Sequence, residues 1–303
     1  MTSANEPSRK ENTICGIVVS YNPAVGILTN IATLCAQVDH VIVVDNGSEG
    51  ESCDYLRQLD TIPNVSLVYH NANLGIAAAL NTGVQWALMH QYRWVATFDQ
   101  DSHVSPNMLA LMLAAYELFP EKNRIAIISP QYRDQNSGQI MPGAMRKHKD
   151  NTVYARVLTT MTSGNLVNTN VFRDIGFFND AMFIDLVDAE FCLRCARAGY
   201  VVIEAQRALL DHNLGRPTQH KFLWRKPIVS NHSAIRWYYI SRNKVFIYKN
   251  YVWSYPIWVL RDLFTYVKDC VGLVLFEQDR KNKINFIIRG IWDGIIGRLG
   301  PFS

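Results

Sequence analysis

Two carboxylates separated by one residue directly follow a short β-branched and aromatic run. Residues 94–98 lead into Asp99-Gln100-Asp101, a spacing that lets two carboxylates approach one cation. Hard divalent ions such as Mg²⁺ prefer carboxylate and phosphate oxygens together. The same pattern is also typical of a solvated turn ahead of a helix, here one starting near Pro106. The pair indicates a cation site if the preceding run is a strand of a parallel sheet.

Polar side chains also follow the other predicted strands of this half of the chain. Ser20-Tyr21-Asn22 follows the first, Asp45-Asn46-Gly47-Ser48 the second, and Asn73-Leu74-Gly75 comes shortly after the third. Ligands of parallel sheets bind beyond the carboxyl ends of the strands, so these segments are predicted to share one edge. Asp45 is then a candidate acceptor for a base N–H or a ribose hydroxyl, although Asn-Gly is also an ordinary turn pair.

A second acidic set opens a predicted helix later in the chain. Asp185, Asp188 and Glu190 precede Arg194, and acids are common at helix starts because of the helix dipole. The functional interpretation makes one of them a general base. His212, which follows an apolar strand, is a candidate third metal ligand. Arg242 is a candidate partner for a leaving diphosphate, since guanidinium matches phosphate oxygens bidentately.

The elements that must position these residues alternate between strand and helix. Uninterrupted apolar strands in such an alternation predict an α/β fold whose mostly parallel central sheet is covered on both faces. After Gly215 the composition becomes basic and aromatic and then predicts amphipathic helices. The predicted strands are residues 14–20, 41–45, 65–69, 94–99 and 125–129, and the predicted helices are residues 24–37, 52–59, 75–90, 106–119 and 186–198.

Composition and missing motifs exclude several classes of protein. The net charge of +4 does not indicate a nucleic-acid binder, and no dinucleotide fingerprint, phosphate-binding P-loop or nucleophile elbow occurs. The six cysteines form no paired framework, which is typical of a reducing compartment. No Asp or Glu occurs from His212 to Arg261, although Lys and Arg accumulate there, and this favours an anionic partner such as phosphates or lipid head groups. Residues 251–276 are predicted to lie on a membrane surface rather than to span it.

Taken in order, these segments resemble the family 2 glycosyltransferases, inverting enzymes with the GT-A (Rossmann-like) fold. The resemblance covers about residues 14 to 250, and residues 183–194 and 289–294 are similar to the branch that uses dTDP-L-rhamnose. The matching segments are residues 18–22, 44–48, 73–75, 99–101 and 192–194 together with Arg242-Asn243.

The resemblance implies a role for most of these residues. Asp45 would recognise the base, beside Ser20, Tyr21 and Asn22. Asp99 would hold the ribose side, with Asn73 and Gly75 also at the donor site. Asp101 and His212 would hold Mg²⁺ or Mn²⁺ on the diphosphate, and Asp188 matches the position of the catalytic base. The chain departs from many relatives in having Val187 where they have a second acid. Assignment of the base among Asp188, Asp185 and Glu190 therefore stays open.

The implied function is transfer of L-rhamnose from dTDP-L-rhamnose to a lipid-linked or polysaccharide acceptor in O-antigen or related surface polysaccharide synthesis. Two alternatives remain: a UDP-sugar donor, or a non-catalytic module that binds nucleotides or lipids at a membrane. The expected organisation is a disordered N-terminus at residues 1–12, a GT-A domain at 13–215, and a membrane-associating helical region at 216–303. The expected location is the cytoplasmic face of the cell membrane.

Overall fold

The computed structural model describes residues 12–134, 138–140, 153–212, 218–219, 228–229 and 231–302. The side chains of residues 212, 218–219 and 228–229 are outside this description. The predicted disordered segment 1–12 lies almost wholly outside the described residues, as does Gly215.

Strands and helices alternate through the first half of the chain as the sequence predicts. In the second half, strands and helices complete the sheet and then give way to three long helices. The elements of the first half are β1 (Ile14–Ser20), α1 (Gly26–Cys35), β2 (His40–Asp45), α2 (Ser52–Leu59), β3 (Val65–Tyr69), α3 (Ile76–Met89), β4 (Trp94–Asp99), β5 (His103–Val104), α4 (Met108–Leu118) and β6 (Ile125–Asp134). Those that follow are β7 (Tyr154–Val157), β8 (Asn165–Asn168), α5 (Thr169–Ile175), α6 (Val187–Arg197), β9 (Val201–His212), β10 (Thr218–Gln219), β11 (Ile228–Val229), α7 (Ala234–Tyr251), α8 (Pro256–Phe276) and α9 (Arg280–Ile296).

The central sheet has the order β3-β2-β1-β4-β8-β6-β9-β5 among the described residues, with β7 paired to β9. The strands β3, β2, β1 and β4 are mutually parallel, and β8 enters antiparallel between β4 and β6. The parallel register places Ser20 opposite Asp45, and Val19 opposite Asp99. The carboxyl ends of these strands therefore lie side by side, which confirms the predicted sheet edge.

Both faces of the sheet are buried under helices. Because successive strand residues point to opposite sides, each strand contributes to two separate apolar clusters. On β2, Val41 and Val43 join one apolar cluster, while Ile42 and Val44 join another. The helices α1, α2 and α4 cover the first face, and α3, α5 and α6 cover the second. On α3, a Cβ at Gly83 would lie 2.4 Å from Ile17 Cγ2, so this helix packs directly on β1.

The C-terminal helices pack on the sheet domain and on one another. Helix α7 begins at the Ser233 N-cap, and α9 ends before Gly297, which has φ +78°. Helices α7 and α9 approach closely because Gly290 and Gly294 carry no side chain: a Cβ at Gly290 would lie 2.4 Å from the Tyr238 carbonyl oxygen. Ile247 and Tyr251 of α7 belong to the same apolar cluster as α3 and α6. One core thus extends across the predicted boundary at residues 215/216.

Four of the five predicted helix starts are wrong by one or two residues. Helix α4 begins at Met108 rather than at Pro106, after Asn107 in the left-handed region at φ 59°. Helix α6 begins at Val187 rather than at Leu186, which is the N-cap position at φ 63° and supplies no capping side chain. Strand β6 also continues to Asp134 instead of ending at Ser129, because it pairs with β9 along its whole length. Within the described part of the chain, no helix combines the length and apolarity needed to cross a membrane.

Candidate active site

The ends of β1 and β2 are tied together by one buried carboxylate. Asp45 is 3% exposed and accepts hydrogen bonds from Ser20 Oγ at 3.0 Å and from the Ser48 backbone N–H at 3.0 Å. Asn22, at φ 46°, donates its backbone N–H to Ser48 Oγ at 2.8 Å. These bonds fix the turn after β2, and a donor base would have to share the Asp45 oxygens with Ser20 and Ser48. Base recognition by Asp45 stays a prediction.

The Asp99-Gln100-Asp101 turn is held from both sides. Ser163 Oγ accepts from the Asp99 backbone N–H at 3.1 Å, and Gln100 Oε1 accepts from the Tyr21 N–H at 2.8 Å. Asp99 is partly buried, whereas Asp101 is exposed and makes no hydrogen bond or ion pair with the described residues. The turn therefore presents an accessible carboxylate at the sheet edge, where a cation bound to phosphates could reach it.

The Asn73-Leu74-Gly75 segment supports the next part of the site. Asn73 Oδ1 accepts from Asn46 Nδ2 at 3.0 Å and from the Gly75 N–H at 3.0 Å. Gly75 has φ +88°, and a Cβ there would lie 2.5 Å from the Phe183 carbonyl oxygen. That carbonyl accepts from the Ile76 N–H at 2.8 Å. The glycine is required by this close approach, which docks the segment before α6 against the start of α3.

The backbone between residues 183 and 186 is held in sparsely populated conformations. Phe183, Asp185 and Leu186 have φ values of 65°, 63° and 63°, and none of them is a glycine. Each such residue costs on the order of 1–3 kcal/mol and persists only where its surroundings determine it. The strain lies directly before the predicted base.

Asp188 lies on the first turn of α6 and is partly buried. Burial, together with the negative charges of Asp185 and Asp99, raises the pKa of this carboxyl to about 6, against a hydrogen bond from the Ala189 N–H at 2.7 Å that lowers it. A carboxylate whose pKa lies near neutral pH is suited to accept a proton in general base catalysis. Asp99 and Asp188, one from each acidic set, are thus close enough to interact.

The other two acids of this set have their oxygens engaged by cations. Asp185 accepts from Arg236 Nη2 at 3.0 Å and from Nε at 3.2 Å. Glu190 is 4% exposed and accepts from Arg194 and from Tyr251 Oη. Residues two apart on a helix point to different sides, so Glu190 faces the α7 packing when Asp188 faces the strand ends. The arrangement favours Asp188 over Asp185 and Glu190 as the general base. The role of Asp188 as base stays a prediction.

Arg242 is not available to a diphosphate, which corrects the expectation from the sequence. The residue is fully buried, and its guanidinium lies over the ring of Tyr239 at 4.9 Å. It donates to the carbonyl oxygens of Met182 at 2.8 Å and of Gly300. An aromatic and basic sequence pattern does not reveal whether a guanidinium faces phosphate or backbone carbonyls.

The backbone segments that carry the predicted metal ligands Asp101 and His212 lie close together across the sheet. Strand β5 pairs His103 with Asp211, so the turn that contains Asp101 lies beside the end of β9 at His212. The side chain of His212 is outside the described residues. No group of three or more His, Cys, Asp or Glu side chains that could hold a metal occurs in the part that the structure describes. The metal role of Asp101 and His212 stays a prediction.

Sequence reasoning missed the residues that support the site from behind. Ser163 bonds the Asp99 N–H and lies 2.6 Å, Oγ to Oγ, from Ser102. Asn46 Oδ1 accepts from the Leu74 N–H at 3.0 Å, and Asn243 Nδ2 donates to the Asp185 carbonyl at 2.9 Å. The sequence gives no sign of these supporting roles, because each residue bonds a partner that lies far away in the sequence.

Comparison with known proteins shows the fold and the family of this chain. The chain is 29% identical over 303 residues to the dTDP-rhamnosyl transferase RfbF of Shigella flexneri, covering 95% of this chain and 97% of that protein. Among solved structures, residues 1–349 of S. aureus TarS match with a TM-score of 0.60 at 13% identity, covering 94% of this chain and 82% of that one.

A structure of GalNAc-T7 with UDP, GalNAc and Mn²⁺ matches with a TM-score of 0.59 at 13% identity over 80% of this chain. The present chain spans about half of that protein, 48% of its length. These structural matches confirm the predicted mixed α/β fold. The family model for glycosyl transferase family 2 matches residues 15–176, more than half of the chain. The chain belongs to glycosyl transferase family 2 and is a glycosyltransferase.

Proposed function

We propose that this enzyme transfers L-rhamnose from dTDP-L-rhamnose to a hydroxyl of its acceptor with inversion at the anomeric carbon. The observation that carries the catalytic part is Asp188, a partly buried carboxylate whose pKa is raised to about 6 and which senses the charge of Asp99 at the strand ends. The proposed proton acceptor and the proposed nucleotide-binding edge would then share one site, as a single displacement requires.

In the proposed reaction the acceptor hydroxyl attacks the anomeric carbon from the face opposite the nucleotide. The bond from the acceptor oxygen to that carbon forms as the bond to the diphosphate oxygen breaks, and the electron pair leaves with dTDP. Asp188 receives the hydroxyl proton. Such general base assistance contributes about 10²- to 10⁴-fold to the rate.

A divalent ion, Mg²⁺ or Mn²⁺, fits the residues present. Mg²⁺ is commonly bound by one or two carboxylates together with substrate phosphates, and Asp101 offers an accessible carboxylate at the sheet edge. Asp101 and His212 would hold the ion on the donor diphosphate. When bound, it would stabilise the negative charge that grows on the leaving diphosphate.

The donor is proposed from the similarity to RfbF, whose name states dTDP-rhamnosyl transfer and which matches along nearly its whole length. A UDP-sugar is the alternative, since the solved structures of GalNAc-T7 and TarS that match were determined with UDP and with UDP-GlcNAc. Asp45, Ser20, Tyr21 and Asn22 would lie beside the base in either case.

The test is a donor screen for nucleotide release with membrane acceptor supplied. Metal-dependent release of dTDP from dTDP-L-rhamnose, lost in Asp188→Asn and retained in the surface control Asp54→Asn, supports the proposal. Turnover of a UDP-sugar alone would change the donor and keep the class. Nucleotide binding that is insensitive to chelator, with no turnover of any donor, would favour the non-catalytic alternative.

A membrane-bound acceptor is proposed from the surface of α8. Six apolar residues spaced three and four apart form one exposed stripe along this helix, and Phe264 within it is 74% exposed. Helical residues at this spacing share a face. The stripe residues are Ile257, Leu260, Phe264, Val267, Val271 and Val274.

The charges around the stripe fit an anionic lipid surface better than a second copy of the chain. Arg261 and Lys268 are exposed along one border of the stripe. Asp262 and Asp269 each follow one of these cations by one residue. They therefore lie about 100° further around the helix, on the side away from the stripe. Asp262 is also paired with Lys244 at 2.6 Å. Apolar residues bordered by cations are typical of helices lying in a membrane interface.

These features support peripheral attachment to a membrane surface. Attachment to the cytoplasmic face, a lipid-linked saccharide as acceptor, and surface polysaccharide such as O-antigen as product are proposed from the resemblance to the branch that uses dTDP-L-rhamnose. Residues 13–215 would bind the donor and carry the chemistry, and residues 216–303 would supply the membrane contact. No nucleic-acid partner is proposed.

A further inference from the structure

The segment 181–186, directly before the base helix, has all of its backbone carbonyls occupied. The Phe183 carbonyl accepts from the Ile76 N–H at 2.8 Å, and the Leu186 carbonyl from the Glu190 N–H at 3.0 Å. The carbonyls of Ala181, Met182, Ile184 and Asp185 all accept from the side chains of Arg242 and Asn243 on α7.

The two donors act as one unit. Arg242 Nε donates to Asn243 Oδ1 at 3.0 Å, which turns the Asn243 amide so that Nδ2 faces the segment. Nδ2 lies 3.0 Å from the Met182 carbonyl, 2.8 Å from that of Ile184 and 2.9 Å from that of Asp185. Both residues are fully buried, so water does not compete for these carbonyls.

The segment needs such external support. It contains three non-glycine residues with φ between 63° and 65°, and the N-cap of α6 has no capping side chain. A backbone of this kind persists only when its surroundings determine it. Asp188 is two residues beyond the segment, so the position of its carboxylate depends on this backbone.

We infer that Arg242 and Asn243 are positioning residues, which hold the strained segment 181–186 and thereby place Asp188 for proton transfer. The inference rests on the proposed role of Asp188 as base. It gives α7 a part in catalysis without contact to substrate. It also replaces the phosphate-binding role predicted for Arg242.

The experiment compares Asn243→Asp with Tyr238→Phe in the full-length enzyme. Asn243→Asp keeps the acceptor for Arg242 and the side-chain volume but removes the donor to three carbonyls. Tyr238→Phe removes a 2.8 Å hydrogen bond to Asp293 in the same α7–α9 packing, keeps the ring that lies 5.5 Å from the Arg242 guanidinium, and removes no hydrogen bond to the segment. Because a displacement of about 1 Å can lower a rate about 100-fold, Asn243→Asp should lower kcat about 10- to 100-fold. KM for dTDP-L-rhamnose should change by less than about threefold, since donor contacts are not altered.

Hydrogen exchange without substrate supplies a readout that is independent of the reaction. Amides of residues 182–190 should exchange faster in Asn243→Asp, while those of Tyr238→Phe should match the wild type. Unchanged kcat in folded Asn243→Asp, or a loss of kcat shared equally with Tyr238→Phe, would overturn the inference. If Asp188→Asn keeps full turnover, the proposed base fails instead, and the exchange result still decides whether Asn243 holds the segment.

Discussion

Asp188, on the first turn of α6, has a pKa raised mainly by burial, and the charge of Asp99, at the end of β4, adds to this shift. One residue lies at the edge of the sheet where the donor nucleotide is proposed to bind, and the other lies on the helix that follows the strained segment. Their interaction joins the two acidic sets in one site. An enzymatic interpretation requires this juxtaposition, because a base remote from the donor edge could not reach the acceptor hydroxyl.

The first prediction concerns the pH dependence of turnover. Because Asp188 must be ionised to accept a proton and its pKa is about 6, kcat should rise with pH through about pH 6. Asp185→Asn removes a negative charge that raises this pKa, so the acid limb should move to lower pH with activity retained. Arg236→Gln leaves the Asp185 charge without its partner and should move the limb upward. A limb that does not move in either variant would contradict Asp188 as the titrating group.

The second prediction concerns stability. The pKa of Asp188 is raised in the folded state, so the folded state binds more protons than the unfolded state between about pH 4 and pH 6. Wild-type stability should therefore fall as pH rises through this window. Asp188→Asn should be more stable than wild type above pH 6, by about 1–3 kcal/mol, and equal to it below pH 4. Denaturant unfolding at pH 4 and pH 8 measures this, with the exposed Asp54→Asn as a control that should show neither change.

Much of the fold could be predicted from the sequence because apolar periodicity determines strands and helices locally. Helix α2 and strands β1, β3 and β4 have the predicted bounds. The antiparallel entry of β8 between β4 and β6 was not predictable, because it depends on pairing between strands distant in the sequence.

The sheet edge was predictable for the same reason as the strands, since parallel topology brings strand ends together. The ion-pair partners of individual charged residues were not predictable from the sequence. The basic stretch after His212 indicated an anionic partner, yet the structure pairs Arg236 with Asp185 and Lys244 with Asp262. The positive φ angles of residues 183–186 were also invisible, because no glycine marks them.

The third prediction separates Glu190 from the base role. Glu190 accepts from Arg194 and Tyr251 while nearly fully buried, so Glu190→Gln leaves the partly buried Arg194 guanidinium without its counter-charge. The change should lower the free energy of unfolding by about 3 kcal/mol. The kcat of the folded fraction should stay within about threefold of wild type, since no proton transfer is removed. A loss of kcat comparable to that of Asp188→Asn, measured on folded protein, would make Glu190 the better candidate.

The fourth prediction uses two glycines that both have a positive φ angle. Gly75 has φ +88° and Gly50 has φ +65°, but only at Gly75 would a Cβ collide, at 2.5 Å from the Phe183 carbonyl oxygen. Gly50→Ala should cost about 1–2 kcal/mol of stability and leave kcat unchanged. Gly75→Ala should cost more and lower kcat about tenfold or more, because the segment before Asp188 must move. Equal effects of the two substitutions in thermal unfolding and kinetics would contradict close docking of this segment.

The fifth prediction tests the exposed stripe of α8 as a lipid-binding face. Phe264→Glu replaces its most exposed apolar residue with a charge and should weaken binding to vesicles containing phosphatidylserine about tenfold or more. Lys268→Gln should weaken it about fivefold, since each cation near an anionic surface contributes about 1 kcal/mol. Met89→Glu, an isolated and 71% exposed apolar position on α3, is the matched control and should bind as wild type. If Phe264→Glu instead converts a dimer to a monomer in sedimentation without changing vesicle binding, the stripe is an interface between two copies of the chain and the membrane proposal is wrong.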